Sequence, residues 1–122
     1  MAVTHPVATR NGIADYVVDQ LDGGVLRYLT AADATIADGS FGTPAFGAAA
    51  AGVATANAIG DATNGTGGTL VVAKAALRST TADVVLCSVT TTGSGGDIEI
   101  TDTSIADGVP ITTSSLTYAA AP

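Results

Sequence analysis

Val84-Val85-Leu86-Cys87-Ser88-Val89-Thr90-Thr91, then Gly93-Ser94-Gly95-Gly96, then Asp97-Ile98-Glu99-Ile100-Thr101, is the stretch whose reading decides the fold. The first run is rich in β-branched residues, which fit a pleated surface. In the last run Ile98 and Ile100 alternate with Asp97, Glu99 and Thr101, the period-two pattern of a half-buried strand with one wet face. The glycines between them read as a hairpin loop. Strand, glycine turn and strand therefore set the expected theme.

Working outward, the same theme recurs. Val25–Thr30 and Ala34–Ala37 read as strands, followed by a loop over Asp38–Pro44. Ala45–Ile59 reads as a loop leading into a strand at about Val53–Ile59, because Gly47, Gly52, Val53, Thr55 and Asn57 oppose the helix its alanines invite. Gly60–Gly68 reads as a flexible loop and Thr69–Leu77 as a central strand buried on both sides, while its Ala-Lys-Ala-Ala-Leu-Arg end suits a helix equally. Val109–Thr113 and Ser115–Ala119 close the series. Short strands separated by glycine-rich turns predict a mainly β chain, an antiparallel sandwich or barrel-like domain.

One amphipathic helix is expected near the start, over about Ala8–Leu21. Ile13, Tyr16, Val17 and Leu21 fall on one face of a 3.6-residue period, while Asp15, Asp19 and Asp22 point elsewhere. Thr9 or Asn11 is the expected cap, and Gly23-Gly24 the left-handed stop. Residues 1–7 read as an extended arm, with Pro6 holding its predecessor out of the helical region. Residues 8–122 then form a single β-rich domain, as the length of 122 residues allows.

Composition narrows the chemistry. The chain has one His, one Cys, no Trp and four Lys or Arg against eleven Asp or Glu, a formal net charge of −7. General acid-base and nucleophilic catalysis draw on His, Cys, Lys and placed carboxylates, so no enzyme is expected and no cofactor. Scattered cations (Arg10, Arg27, Lys74, Arg78) offer no basic stripe for nucleic acid or anionic membrane. Cys87 has no second cysteine for a disulfide and reads as a buried, inert thiol. The opening Met1–Pro6 lacks a basic segment followed by an apolar one, so no secretory signal is expected. No run of apolar residues is long enough to span a membrane.

The motifs that remain are weighed against plain structural roles. Asp97, Glu99, Asp102 and Asp107 form an acidic group whose hard oxygens would suit Ca²⁺. Their spacing matches no calcium loop, and a solvated strand face is the preferred reading. As a carboxylate pair acting on a glycosidic bond they lack any aromatic sugar platform. Gly65-Thr66-Gly67-Gly68 and Gly93–Gly96 match no phosphate-binding pattern and read as hairpin loops. His5 lies in the arm, with no second metal-ligating residue type close to it in sequence. Tyr16, Tyr28, Phe41 and Phe46 are expected in core or interface packing.

Three segments have a cadence of their own. They are Thr9-Arg10-Asn11-Gly12-Ile13-Ala14-Asp15 with Val17-Val18-Asp19, then Pro44-Ala45-Phe46-Gly47 through Gly52, and Gly95–Ile100 running through Thr103–Gly108 to Ser115–Tyr118. Together they resemble a family of small virion proteins of tailed bacteriophages, over about residues 4–119. The resemblance implies a component of the phage particle, a capsid decoration (cement) protein with no catalytic residues. It would be made in the host bacterial cytoplasm and carried on the capsid surface. Its implied partners are the major capsid protein and copies of itself, with interface candidates Val3, Thr4, His5, Pro6 and Arg10. A tail, neck or host-recognition module of the virion, or a small glycan- or Ca²⁺-binding domain, stay open as alternatives.

Overall fold

Alternate residues of β1 (Val25–Leu29) decide the architecture: Leu26 and Tyr28 are buried on one face, while Val25, Arg27 and Leu29 are half-covered on the other. In this computed structural model, which describes residues 4–95, 97–111, 113 and 116–120, β1 is hydrogen-bonded on both sides. It pairs with β2 (Thr35–Ser40) and with β6 (Lys74–Arg78), antiparallel to each. Tyr28 lies opposite Ala37 on one strand and Ala75 on the other. Small neighbours on both sides make room for its ring, and its hydroxyl is hydrogen-bonded to buried Thr113. β7 (Asp83–Thr91) and β8 (Ile98–Ile100) complete a five-stranded sheet of order β2-β1-β6-β7-β8.

Around this sheet run three two-stranded ribbons. β3 (Val53–Thr55) pairs with β11 (Thr117–Ala119), β4 (Ala62–Thr63) with β10 (Pro110–Ile111), and β5 (Leu70–Val71) with β9 (Ser104–Ile105), all antiparallel. The described residues are mainly β, about 42% strand and 12% helix, with one short helix and a curled, antiparallel-rich sheet. One apolar cluster joins helix, sheet and ribbons through Val18, Leu26, Ile36, Phe46, Leu77, Ile98, Ile111 and Leu116. Phe41 and Phe46 meet inside it, ring centroids 5.9 Å apart and tilted by 46°. They pack as expected, as does Tyr28.

The expected boundaries shift where side chains found partners. Thr69–Leu77 is two strands, broken where the Val72 and Ala73 N–H groups turn to the carbonyls of Thr103 and Leu29. Its second half is covered on both faces, as its pattern suggested. Asp38-Gly39-Ser40 is not loop but the end of β2. Asp38 lies opposite Arg27 and accepts two hydrogen bonds from its guanidinium, at 2.9 and 3.1 Å. Gly39 is a close-approach glycine: a Cβ there would meet the Gly60 carbonyl at 2.5 Å. Val53–Ile59 pairs as a named strand only over its first three residues.

Two hairpins expected from glycine content are not hairpins. β7 and β8 run parallel, Val89 opposite Ile98 and Thr91 opposite Ile100. The chain overshoots at Thr91, turns with positive φ at Gly93 and Gly95, and comes back to run beside the strand it left. Gly65–Gly68 likewise joins strands that pair elsewhere, β4 with β10 and β5 with β9.

The helix, α1 (Val7–Asp19), starts one residue before its expected start and inside the expected arm. Pro6 holds the N-cap position with no side-chain capping bond, so neither Thr9 nor Asn11 serves there. Gly23 provides the expected left-handed stop at φ 72°. The buried face, however, is Ala14, Val18 and Leu21, while Ile13 is exposed and Tyr16 is 73% exposed. Hydrogen-bond demand explains the rotation. Asn11 Oδ1 accepts from the Gly52 N–H and Asp15 Oδ1 from the Ala49 N–H, each at 2.8 Å. Just beyond the helix Asp22 Oδ1 accepts from the Ala45 N–H at 2.8 Å. Unmet donors in the 45–52 segment would cost more than exposing one tyrosine, so the helix turns its polar anchors inward.

Candidate functional site

The four carboxylates that suggested a cation site do not converge. Asp97 accepts from the Ser88 N–H at 3.0 Å and from its hydroxyl at 3.2 Å, fastening β8 to β7. Glu99 accepts from the Gly95 N–H, Asp102 from the Ser104 N–H and Asp107 from the Gly67 N–H, each at 2.9 Å. Glu99 and Asp102 fasten local turns and Asp107 ties its loop to the one at Gly67, the ordinary work of an acidic side chain beside an unpaired backbone donor. Among the described residues no three His, Cys, Asp or Glu side chains are placed to hold a metal ion.

Cys87 lies on β7, half-buried, with no cysteine partner. Burial, and then the negative charge of Asp97, push its thiol up to about 11. Alkylation follows the thiolate fraction. At pH 7.5 Cys87 should therefore react with iodoacetamide about a hundredfold more slowly than a thiol of ordinary pKa, the rate climbing as pH approaches 11. Mass spectrometry of timed aliquots measures this, and labelling as fast as a free cysteine at pH 7.5 would contradict it.

The surface least used by the fold itself lies at the helix. Thr4, His5 and Pro6 are exposed and lead into α1, while Val3 lies outside the described residues. So do Gly96, Thr112, Ser114 and Ser115, and with them parts of one expected loop and of the last two expected strands. Val7, Ile13 and Tyr16 add exposed apolar surface along the helix. Arg10 is half-buried, its stem against the α-carbon of Gly52: a Cβ added there would lie 3.1 Å from Arg10 Cβ. Its Nε is buried without a hydrogen-bond partner, alone in this among the side-chain nitrogens and oxygens of the described residues. The structure thus brings Thr4, His5, Pro6 and Arg10 to one end of the fold. Exposed Ile13 and Tyr16 lie on the same helix, although periodicity placed them on one apolar face with Val17 and Leu21.

Among the described residues no helix is long and apolar enough to cross a membrane. Comparison of the chain with protein-family models, curated proteins and solved structures found no match.

Proposed function

We propose that the chain is a non-enzymatic virion protein that decorates and reinforces a bacteriophage capsid by binding across neighbouring copies of the major capsid protein. The observation that carries this reading is the helix surface. Exposed Val7, Ile13 and Tyr16 flank an arginine whose Nε lacks a partner, next to the exposed segment Thr4–Pro6. A buried donor without an acceptor costs about 1–3 kcal/mol, and the guanidinium would recover it by turning outward to a docked carbonyl or carboxylate. Aromatic and arginine side chains are the usual anchors of protein interfaces. Repetition does the rest, because many modest contacts on one shell add up to firm attachment.

The test is co-sedimentation of the purified chain with capsids lacking it, with copy number read by quantitative electrophoresis. Binding on the order of hundreds of copies per particle is expected for a repeated shell site. A double variant, Arg10→Ala with Tyr16→Ala, should bind at least tenfold more weakly with its far-ultraviolet circular dichroism unchanged. A dozen copies or fewer would move the protein to tail or neck. Saturable binding to calcium or a glycan panel, with none to particles, would replace the reading altogether.

A further inference from the structure

Five dipeptides, Asn11-Gly12, Asp22-Gly23, Asp38-Gly39, Asn64-Gly65 and Asp107-Gly108, have the composition that closes most readily to a succinimide. In that reaction the glycine nitrogen attacks the side-chain carbonyl carbon of the residue before it, and glycine has no Cβ to hinder the approach. The fold restrains all five. Asn11, Asp22 and Asp107 each hold an oxygen on a backbone N–H, of Gly52, Ala45 and Gly67 in turn. Asp38 is held by Arg27, and Asn64 by Thr66.

Asn64 differs from the others in two ways. The nitrogen that would attack it is unengaged: Gly65 is exposed, and its N–H enters no hydrogen bond among the described residues. By contrast, the Gly23 and Gly108 N–H groups donate to the carbonyls of Gly42 and Asn64, and Gly12 lies inside α1. The second difference is that the side-chain nitrogen of Asn64 is in use, donating to the carbonyls of Gly68 and Ile105. Asn11 only accepts from Gly52, so an aspartate in its place would keep that bond.

We propose that Asn64-Gly65 is a self-modification site that works as a one-way latch. While the 64–68 loop is shut, four hydrogen bonds hold the fully buried amide and keep its carbon from the Gly65 nitrogen. When the loop opens, the Gly65 nitrogen bonds to Asn64 Cγ, the Cγ–Nδ2 bond breaks, and ammonia leaves with the proton that Gly65 gives up. Water then opens the ring to aspartate or isoaspartate, and no other reactant takes part. The product cannot shut again, because a carboxylate has no proton to give the two carbonyls and would face them in a buried site. The damage then spreads. The Asn64 carbonyl holds the Gly108 N–H, and Asp107 holds the Gly67 N–H, so an open loop frees Asp107-Gly108 for the same ring closure. A reversible fluctuation thus becomes permanent, and each copy records that its loop has opened.

Peptide mass spectrometry of protein kept in mildly alkaline buffer at body temperature tests this with the native chain, Gly65→Ala and Asp107→Ala. At Gly65 an added Cβ meets nothing within 4 Å, so alanine there hinders the attack and spares the fold. Asp107→Ala cuts the tie to Gly67 and leaves the reacting pair intact. Deamidation at residue 64 should be roughly tenfold faster in Asp107→Ala than in the native chain, and slowest in Gly65→Ala. The fraction deamidated at residue 64, separated by ion exchange on its added charge, should lack hydrogen-exchange protection over residues 64–68 and 105–109. Chains deamidated at Asn11 should keep it. Equal rates in the native chain and Asp107→Ala, or native protection in the fraction deamidated at residue 64, would overturn the proposal. Both substituted positions are exposed, and circular dichroism verifies that each variant is folded.

Discussion

Gly24→Ala is expected to lower the melting temperature by roughly 10 °C or more. Gly24 is buried where the helix stop hands the chain to β1. Its N–H donates to the Leu21 carbonyl at 2.8 Å and its own carbonyl accepts from the Phe41 N–H at 3.0 Å. A Cβ there would fall far inside van der Waals contact of the Arg78 carbonyl oxygen, and 3.1 Å from the Leu21 carbonyl oxygen. Both obstacles are backbone and cannot swing aside. Relief would require the end of β6 to leave β1 next to the Val25–Arg78 pair, at a cost of about 3 kcal/mol or more. Small domains have only about 5–15 kcal/mol in hand. Calorimetry of Gly24→Ala beside Gly12→Ala makes the measurement internal. At Gly12 an added Cβ meets nothing within 4 Å and the residue is mid-helix, so the melting temperature should rise there by the equivalent of about 0.5–1 kcal/mol. Similar melting temperatures for the two variants would refute the argument.

Asn64→Ala should be nearly as damaging, through polar atoms and not through packing. Asn64 is fully buried. Its amide nitrogen donates to the carbonyls of Gly68 and Ile105, at 2.9 and 2.8 Å. Its amide oxygen accepts from the N–H and hydroxyl of Thr66, at 3.0 and 2.7 Å. Its backbone N–H donates to the Val109 carbonyl and its carbonyl accepts from the Gly108 N–H. One side chain thus ties the 64–68 loop to the 105–109 loop. Alanine keeps the two backbone bonds and strands the Ile105 carbonyl in a dry site, for a loss of about 2–4 kcal/mol. Asn64→Asp should be no better, since a carboxylate cannot donate to two carbonyls. Hydrogen exchange should show lost protection around residues 64–68 and 105–109 before the five-stranded sheet is affected. Uniform loss across the chain, or none, would contradict this.

How much of this was legible depended on whether a residue's partner is near in sequence. The alternation around Ile98 and Ile100 and the β-branched run ending at Thr91 read correctly as strands, because period two is a local property. The existence of α1 was legible for the same reason. Its rotation was not, because Asn11 and Asp15 are committed to Gly52 and Ala49, dozens of residues away. Glycine in Gly93–Gly95 signals a turn but carries no information about which way the returning strand will run. Asn64 sits in a segment that reads as flexible, and only its bond to the Ile105 carbonyl, far along the chain, makes it a fastener. The acidic group was visible as residues and misleading as a cluster, since each carboxylate bonds a different backbone donor. Arg27, Lys74 and Arg78 look unrelated until the β1–β6 register sets them side by side.

That register sets three ion pairs, Arg27 with Asp38, Lys74 with Asp33 and Arg78 with Asp83, on one side of the sheet, and so makes the molecule electrically lopsided. A body whose charges cancel pairwise on one side, with most of its surplus elsewhere, experiences a torque in an external field as well as a pull. Drifting toward a positively charged wall, it would rotate so that the ion-paired side of the sheet trails and the carboxylates outside those pairs lead. Its orientation would then be chosen during approach, before any side chain touches the wall.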